Sequence, residues 1–196
     1  MTLFPFFEDI ENKNILIVGG GKVACEKYDK LKMFTNRIKV VAQETQLSGD
    51  FVYKKSFEDS DLEGIDICIV ATSDRELNRN IASLCNAKAI KVNVVDHKEL
   101  CSFIFPSLVK KGNLCIGIST SGSSPIYSKT LREQIEQCIP DDIEMVLDRM
   151  EGLRKKVPEE VSKQSDRAKL YKNLLLKLLD GTACSDEELI HELLEK

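Results

Sequence analysis

The sequence lacks several features that mark particular classes of protein. None of its apolar runs approaches the roughly 18 residues needed to span a bilayer, so we expect no membrane partner. The 28 Lys and Arg residues are interleaved with 32 Asp and Glu, which disfavours nucleic acid as the main partner. The N-terminus has no basic stretch and turns acidic at Glu8, unlike a signal peptide. With 196 residues and no visible repeat, the chain is expected to form one large or two small globular domains.

The seven cysteines lack the spacing of a metal site. They lie at positions 25, 68, 85, 101, 115, 138 and 184, without a CxxC pair, and their odd number argues against a full disulfide framework. Cys68 and Cys115 lie inside apolar runs, where a reduced cysteine acts as a small hydrophobic side chain. We therefore expect reduced thiols, a cytoplasmic protein and no resident metal.

The first half of the chain alternates short apolar runs with helical patterns. The predicted strands are 14–18, 38–42, 51–53, 66–71 and 89–95, and the predicted helices are 22–34 and 73–85. This alternation is typical of a doubly wound α/β fold with a parallel sheet. On the first helix, Val23, Leu31 and Phe34 should share the buried face with the stem of Lys27. The spacing of Ser73–Glu76 predicts a capping box at the start of the second helix.

The second half begins with a different pattern. Ser102–Val109 and Asn113–Ser119 flank a short glycine-containing turn and predict a β-hairpin. Ser124 before Pro125 predicts a helix start. The apolar face of that helix should comprise Tyr127, Leu131, Ile135 and Cys138. From residue 142 the pattern is helical to the end, with a second capping box at Ser185–Glu188.

A glycine-rich turn joins the first predicted strand to the first predicted helix. Gly19-Gly20-Gly21-Lys22-Val23-Ala24 fits G-x-G-x-x-A, the dinucleotide fingerprint of Rossmann folds. Gly19 would make the turn, and Gly21 would let backbone amides approach a pyrophosphate at the positive end of the helix. A tight turn that binds nothing is the alternative. Because strand, turn and helix fall in register, nucleotide binding is favoured.

The rest of the nucleotide crevice is expected at the ends of the second and fourth strands. About 20 residues after the glycines, Rossmann folds place an acidic residue that binds the ribose of NAD. Gln43 and Glu44 occupy that position here, without an arginine for a 2′-phosphate, which favours NAD over NADP. Thr72 should form the other wall of the crevice, since helix capping explains Ser73 but not Thr72.

Asp96 follows the fifth predicted strand, where open α/β sheets bind ligands. A carboxylate there can act as a general base, although a solvated aspartate at a strand end fits the position equally well. His97 comes next, but no second ligand stands at a metal-binding spacing.

These motifs together resemble the siroheme synthase amino-terminal family. That family comprises the precorrin-2 dehydrogenases, some of which are also sirohydrochlorin ferrochelatases. The similarity covers Phe4 to Pro140 in family order and is carried by FPFFEDIENKNILIVGGGKVACEK, IKVVAQE, DICIVATSDRELN, VNVVDHKELCSFIFPS, ISTSGSSP and LREQIE. Since nothing resembles the methyltransferase domain of the fused members, a stand-alone form is expected.

The resemblance implies NAD-dependent oxidation of precorrin-2 to sirohydrochlorin in siroheme biosynthesis. Asp96 would be the catalytic acid/base residue, and in members that insert Fe²⁺ the same carboxylate accepts the pyrrole protons. The implied cofactor contacts are Gly19, Gly21, Lys22, Val23, Ala24, Gln43, Glu44 and Thr72. Gln43 departs from the proline often found at its position in the family.

The resemblance also implies a homodimer and three parts of the chain. These are an NAD-binding Rossmann domain (1–113), a dimerisation segment (114–150) and a C-terminal helical domain (151–196). Two other functions remain open: a sirohydrochlorin metal chelatase without redox activity, and an NAD-responsive regulatory module that would not need Asp96.

Overall fold

The computed structural model describes residues 3–161 and 163–181, together with residues 185, 186, 188, 190 and 191. The chain divides into two compact units, which we call the Rossmann unit (residues 3–106) and the helical unit (residues 107 onward). The division falls before the hairpin, whose two strands pair with each other, whereas the boundary expected after residue 113 lies in the hairpin turn.

The Rossmann unit is built on a five-stranded parallel sheet in the order β3-β2-β1-β4-β5. Its elements are β1 (Ile15–Val18), α1 (Lys22–Leu31), β2 (Ile38–Val41), β3 (Val52–Tyr53), β4 (Ile67–Val70), α2 (Arg75–Ala87) and β5 (Lys91–Val94). Val18 is in register with Val41 on one side and Val70 on the other, so the carboxyl ends of the central strands are level. The predicted doubly wound α/β fold is confirmed, and its chain order reverses between β1 and β4, where such folds bind ligands.

Both faces of this sheet are buried, which is why its strands are apolar throughout rather than alternating. Leu16 and Val18 point to the face covered by α2, and Ile15 and Ile17 point to the face covered by α1. The expected position of Val23 was wrong: its side chain is 41% exposed, and Ala24 and Leu31 are the buried residues of α1 instead. A spacing of seven residues returns a helix to the same face, so Ala24 rather than Val23 pairs with Leu31.

The start of α2 also differs from the prediction. Asp74, not Ser73, is the N-cap, and its carboxylate accepts hydrogen bonds from the amides of Glu76 and Leu77, both at 3.0 Å. The Ser73–Glu76 capping box was therefore wrong by one residue, because Asp74 is an equally good capping residue standing one position closer to the helix.

The helical unit begins with the hairpin of β6 (Ser107–Lys111) and β7 (Leu114–Ile118), followed by α3 (Pro125–Cys138), α4 (Ile143–Glu160) and α5 (Gln164–Leu179). The hairpin starts later than predicted, because Ser102 instead bonds back to Val92 and Phe103 packs on the parallel sheet. The hydroxyl of Ser124 caps α3 as expected, and Ser185 and Glu188 form the second capping box.

Helices α4 and α5 of this unit pack around an apolar core of their own, to which Ile190 also contributes. It is formed by Val146, Leu153, Val157, Val161, Leu170, Leu174, Leu178 and Ile190. None of the helices among the described residues combines the length and the apolar character that a membrane span requires. Cys184 lies outside the described residues.

Candidate active site

The three glycines after β1 have different structural roles. Gly19 has a φ of +118°, and a Cβ added there would lie 2.3 Å from the carbonyl oxygen of Ala71. A Cβ on Gly20 would lie 1.9 Å from the carbonyl oxygen of Glu44. These two glycines therefore let the turn fit between the ends of β4 and β2. Gly21 is exposed, and a Cβ there would touch no described atom within 4 Å, which leaves room for a ligand.

The N-terminus of α1 is open as well. Its N-cap is Gly21, which has no side chain to accept a hydrogen bond, and the first turn contains no acidic residue. The first backbone bond of the helix runs from the amide of Cys25 to the carbonyl of Gly21, at 3.1 Å. The amides of Lys22 and Val23 thus point out of the helix at its positive end, the arrangement that binds phosphate groups. These residues fit the pyrophosphate of a dinucleotide.

Ala24, the last residue of the fingerprint, is fully buried between α1 and the sheet. Its small side chain allows the close helix–strand packing that the third small position of the motif provides in Rossmann folds. It therefore supports the cofactor site from behind, by holding α1 against β1.

The end of β2 brings the predicted ribose residues beside the glycine turn. Gln43 and Glu44 are exposed, and the backbone of Glu44 is the part that Gly20 approaches. The amide of Gln43 donates a hydrogen bond of 2.8 Å to the hydroxyl of Ser56, which follows β3. Ser56 was missed from the sequence, because it becomes a neighbour of Gln43 only when β2 and β3 pair.

Thr72, predicted as the other wall of the crevice, has partners within the protein. Its hydroxyl donates to the side-chain oxygen of buried Asn78 at 2.6 Å and accepts from the amide of Asp74 at 3.2 Å. The side-chain amide of Asn78 also donates to the carbonyl of Thr72, at 3.1 Å. These hydrogen bonds connect the end of β4 to α2, which gives Thr72 a structural role. Contact between Thr72 and a cofactor stays a prediction.

Asp96 lies in the turn after β5 in a left-handed conformation, with φ of +63°. This conformation costs an L-residue about 1–2 kcal/mol and is tolerated best by Asp and Asn among the non-glycine residues. The side chain is exposed, and no hydrogen bond or ion pair from the described residues occupies its carboxylate. Both oxygens are therefore available to a substrate at the edge of the sheet where the glycine turn also lies.

Cys101 holds the turn of Asp96 in shape. Its sulfur accepts from the amide of Val94 at 3.1 Å and lies 3.3 Å from the carbonyl oxygens of Val94 and His97, to which the thiol can donate. Burial raises the pKa of the Cys101 thiol, so that the group keeps the proton it donates. This role was missed from the sequence, since nothing around Cys101 marks it as different from the other cysteines.

Asn93, which precedes Asp96 in the chain, fixes the returning segment. Its buried side chain donates to the carbonyl of Phe103 at 3.0 Å, on the same face of the sheet as α1. Together with the bonds of Cys101 to Val94 and of Ser102 to Val92, this contact makes the chain from 101 to 105 run back along β5.

The described part of the chain contains no group of three or more His, Cys, Asp or Glu side chains able to hold a metal ion. His97 pairs with Glu99 at 3.0 Å instead. The described cysteines, all six of them, are free thiols.

The glycine turn and the open helix N-terminus lie where the chain order of the parallel sheet reverses. This combination defines a dinucleotide-binding protein of the Rossmann class. Residues 6–107 match the family described as "Putative NAD(P)-binding", and residues 111–137 match the family described as "Sirohaem biosynthesis protein central". The chain belongs to the first of these families and, with both matches in order, to the siroheme synthase amino-terminal family that its motifs resemble.

Individual relatives agree with this assignment. A siroheme synthase of Thioalkalivibrio sulfidiphilus is 35% identical over 185 residues, which cover 89% of this chain and 37% of that protein. Siroheme synthase 1 of Cronobacter sakazakii is 36% identical over 162 residues, covering 79% and 34% respectively. The chain thus spans little more than a third of the length of these curated relatives.

A solved structure titled "SirC, precorrin-2 dehydrogenase" has the same fold. It matches with a TM-score of 0.72 and 19% sequence identity, and the alignment covers 99% of this chain and 100% of that one.

Proposed function

We propose that this chain is an NAD-dependent precorrin-2 dehydrogenase, which oxidises precorrin-2 to sirohydrochlorin in siroheme biosynthesis. The names of its relatives support the pathway. The observation that carries the proposal is the position of Asp96: a strained residue at the same sheet edge as the glycine turn, whose carboxylate has no hydrogen bond or ion pair among the described residues. A regulatory NAD-binding module would need the turn but not this carboxylate.

The oxidation removes two hydrogens from the macrocycle, one as a hydride and one as a proton. NAD, when bound, accepts the hydride. Asp96 takes the proton, since its oxygens have no competing donor among the described residues. The amides of Lys22 and Val23 hold the pyrophosphate, and Gln43, oriented by Ser56, contacts the ribose together with Glu44.

Two further aspects of this proposal come from the family resemblance. Fe²⁺ is a second substrate when the enzyme also inserts the metal into sirohydrochlorin, and Asp96 then accepts the pyrrole protons. The enzyme is a cytoplasmic homodimer that pairs through residues 114–150. Ile126 and Tyr127 on α3 support the dimer, because their side chains are 80% and 60% exposed.

The test is an anaerobic assay with purified protein, NAD and freshly prepared precorrin-2, monitored for NADH and sirohydrochlorin absorbance. We expect turnover by the wild type and a loss of roughly 100-fold or more in Asp96→Asn, the magnitude typical of removing a general base. Asparagine tolerates the left-handed backbone, so NAD affinity measured by calorimetry should be unchanged.

Asp50→Asn is the matched control, because Asp50 is an exposed aspartate before β3, at the opposite edge of the sheet. Absence of NADH formation with either NAD or NADP would contradict the dehydrogenase, and full turnover by Asp96→Asn would contradict the role of Asp96. Fe²⁺ added afterwards tests metal insertion by comparison with a protein-free reaction.

A further inference from the structure

Lys27 occupies an unusual place in the Rossmann unit. It lies in the second turn of α1, on the side of the helix that faces the sheet, and it is half-buried. Its ammonium nitrogen is 3.9 Å from the centroid of the Phe105 ring, in the segment that runs back over β5. The charge is therefore placed between the cofactor-binding helix and the segment that follows Asp96.

Among the described residues, this charge has no anionic partner at ion-pair distance, since no carboxylate lies within 4 Å of the Lys27 amine. By contrast, Lys39 and Lys55 share the buried Asp61, at 2.7 and 3.0 Å. Removing an ammonium group from water without a counterion costs free energy. An unpaired ammonium group near the ligand-binding edge of the sheet is therefore suited to bind an anionic group of the ligand.

The electrostatic surroundings agree with this geometry. Burial, reinforced by the neighbouring charge of Lys30, lowers the pKa of Lys27 to about 8. Cys101, Glu26 and Asp96 act in the opposite direction and favour the charged form. The ring of Phe105 adds a contact that also favours the cation. Lys27 thus stays protonated at pH 7 but loses its charge within the range in which an enzyme can be assayed.

We propose that Lys27 binds a side-chain carboxylate of the tetrapyrrole beside Asp96. This inference rests on the proposed function, whose substrate carries several carboxylates. The pyrophosphate of the cofactor is the other anion at this edge, but the open amides at the start of α1 already provide for it. Lys27 lies about 7.5 Å further along the helix axis than Lys22, at 1.5 Å per residue, and contacts the segment after β5 instead.

The experiment compares Lys27→Met, which keeps the apolar stem but removes the charge, with Lys27→Arg, which retains the charge. The measurements are kcat and KM for precorrin-2, the dissociation constants of sirohydrochlorin and of NAD, and the thermal midpoint. Lys32→Met is the matched control, because Lys32 is exposed at the far end of α1 and pairs with Asp29.

We expect Lys27→Met to raise KM for precorrin-2 and the dissociation constant of sirohydrochlorin roughly tenfold or more, the loss typical of a charge-assisted hydrogen bond. Its kcat and its NAD affinity should stay within about twofold of the wild type. Lys27→Arg should restore most of the tetrapyrrole affinity, and Lys32→Met should behave like the wild type.

The pH profile gives an independent readout. The wild type should lose tetrapyrrole affinity as the pH rises through about 8, the pKa of Lys27, because the free amine then becomes neutral. Lys27→Arg should lose this dependence, since arginine stays protonated, and Lys27→Met should lack it at uniformly weak affinity.

Unchanged tetrapyrrole affinity in Lys27→Met would overturn the proposal. Weakened NAD binding with normal tetrapyrrole binding would also overturn it, by assigning Lys27 to the cofactor phosphates. If precorrin-2 is not oxidised but sirohydrochlorin binding still depends on Lys27, the dehydrogenase proposal fails and the role of Lys27 stands. A wild type that binds no tetrapyrrole would refute both.

Discussion

Among individual residues, Gly20 of the glycine turn is required by the packing of the fold, whereas Gly21 leaves space for a ligand. Gly20→Ala would place a methyl group against the Glu44 carbonyl, a contact that only a backbone shift can relieve. We expect it to lower the free energy of unfolding by about 1–3 kcal/mol or more. Gly21→Ala adds a methyl group in open space at an ordinary φ of −73°, so the thermal midpoint should hardly change.

Gly21→Ala should nevertheless weaken NAD binding tenfold or more, because the methyl group occupies the space that the pyrophosphate needs. Calorimetric titration and thermal unfolding of both variants measure the two effects separately. Normal NAD affinity in Gly21→Ala would mean that the cofactor does not pass over this residue. A fully stable Gly20→Ala would contradict the close packing of the turn.

Some residues of the site are close together in the sequence, and others meet only in the folded chain. The fingerprint from Gly19 to Ala24 is contiguous, so the sequence predicts its position and its open helix terminus. The position of Asp96 was also predictable, since it follows an apolar run. Ser56 and Cys101 were not, because they reach Gln43 and the Asp96 turn only after strands pair and the chain folds back.

At the scale of elements, the cap of α2 offers a direct test of the observed helix start. Asp74→Ala removes an acceptor of two amide hydrogen bonds and should lower the free energy of unfolding by about 1 kcal/mol. Ser73→Ala is the matched control and should leave stability unchanged, since Ser73 is not the N-cap. Denaturant unfolding of both variants distinguishes the two, and the reverse order of effects would restore the capping box at Ser73.

The strands were predicted more reliably than the element ends. Four-residue apolar runs such as Ile15–Val18 and Ile67–Val70 are buried on both faces, which leaves little ambiguity in their pattern. The stretch from 102 to 106 also contains a run of three apolar residues but forms no strand, because Phe103 and Phe105 pack on the sheet as side chains. Apolar character alone does not distinguish these two uses of a segment.

At the scale of the whole molecule, the proposed homodimer makes α3 the element to test. Its outer side chains Ile126 and Tyr127 are exposed in the single chain, and aromatic side chains often dominate the binding energy of interfaces. Tyr127→Glu places a charge at this position and should convert the dimer to a monomer. Sedimentation equilibrium or light scattering over a range of protein concentrations measures the change.

Gln137→Glu is the matched control, since it adds the same charge at an exposed position near the end of the helix, about 80° around the axis from Tyr127. It should remain dimeric if Tyr127 lies at the centre of the contact. NAD binding should survive in Tyr127→Glu, because the glycine turn and the sheet belong to the Rossmann unit, which has its own core. A wild type that is monomeric at all concentrations, or a dimer unaffected by Tyr127→Glu, would contradict pairing through this face of α3.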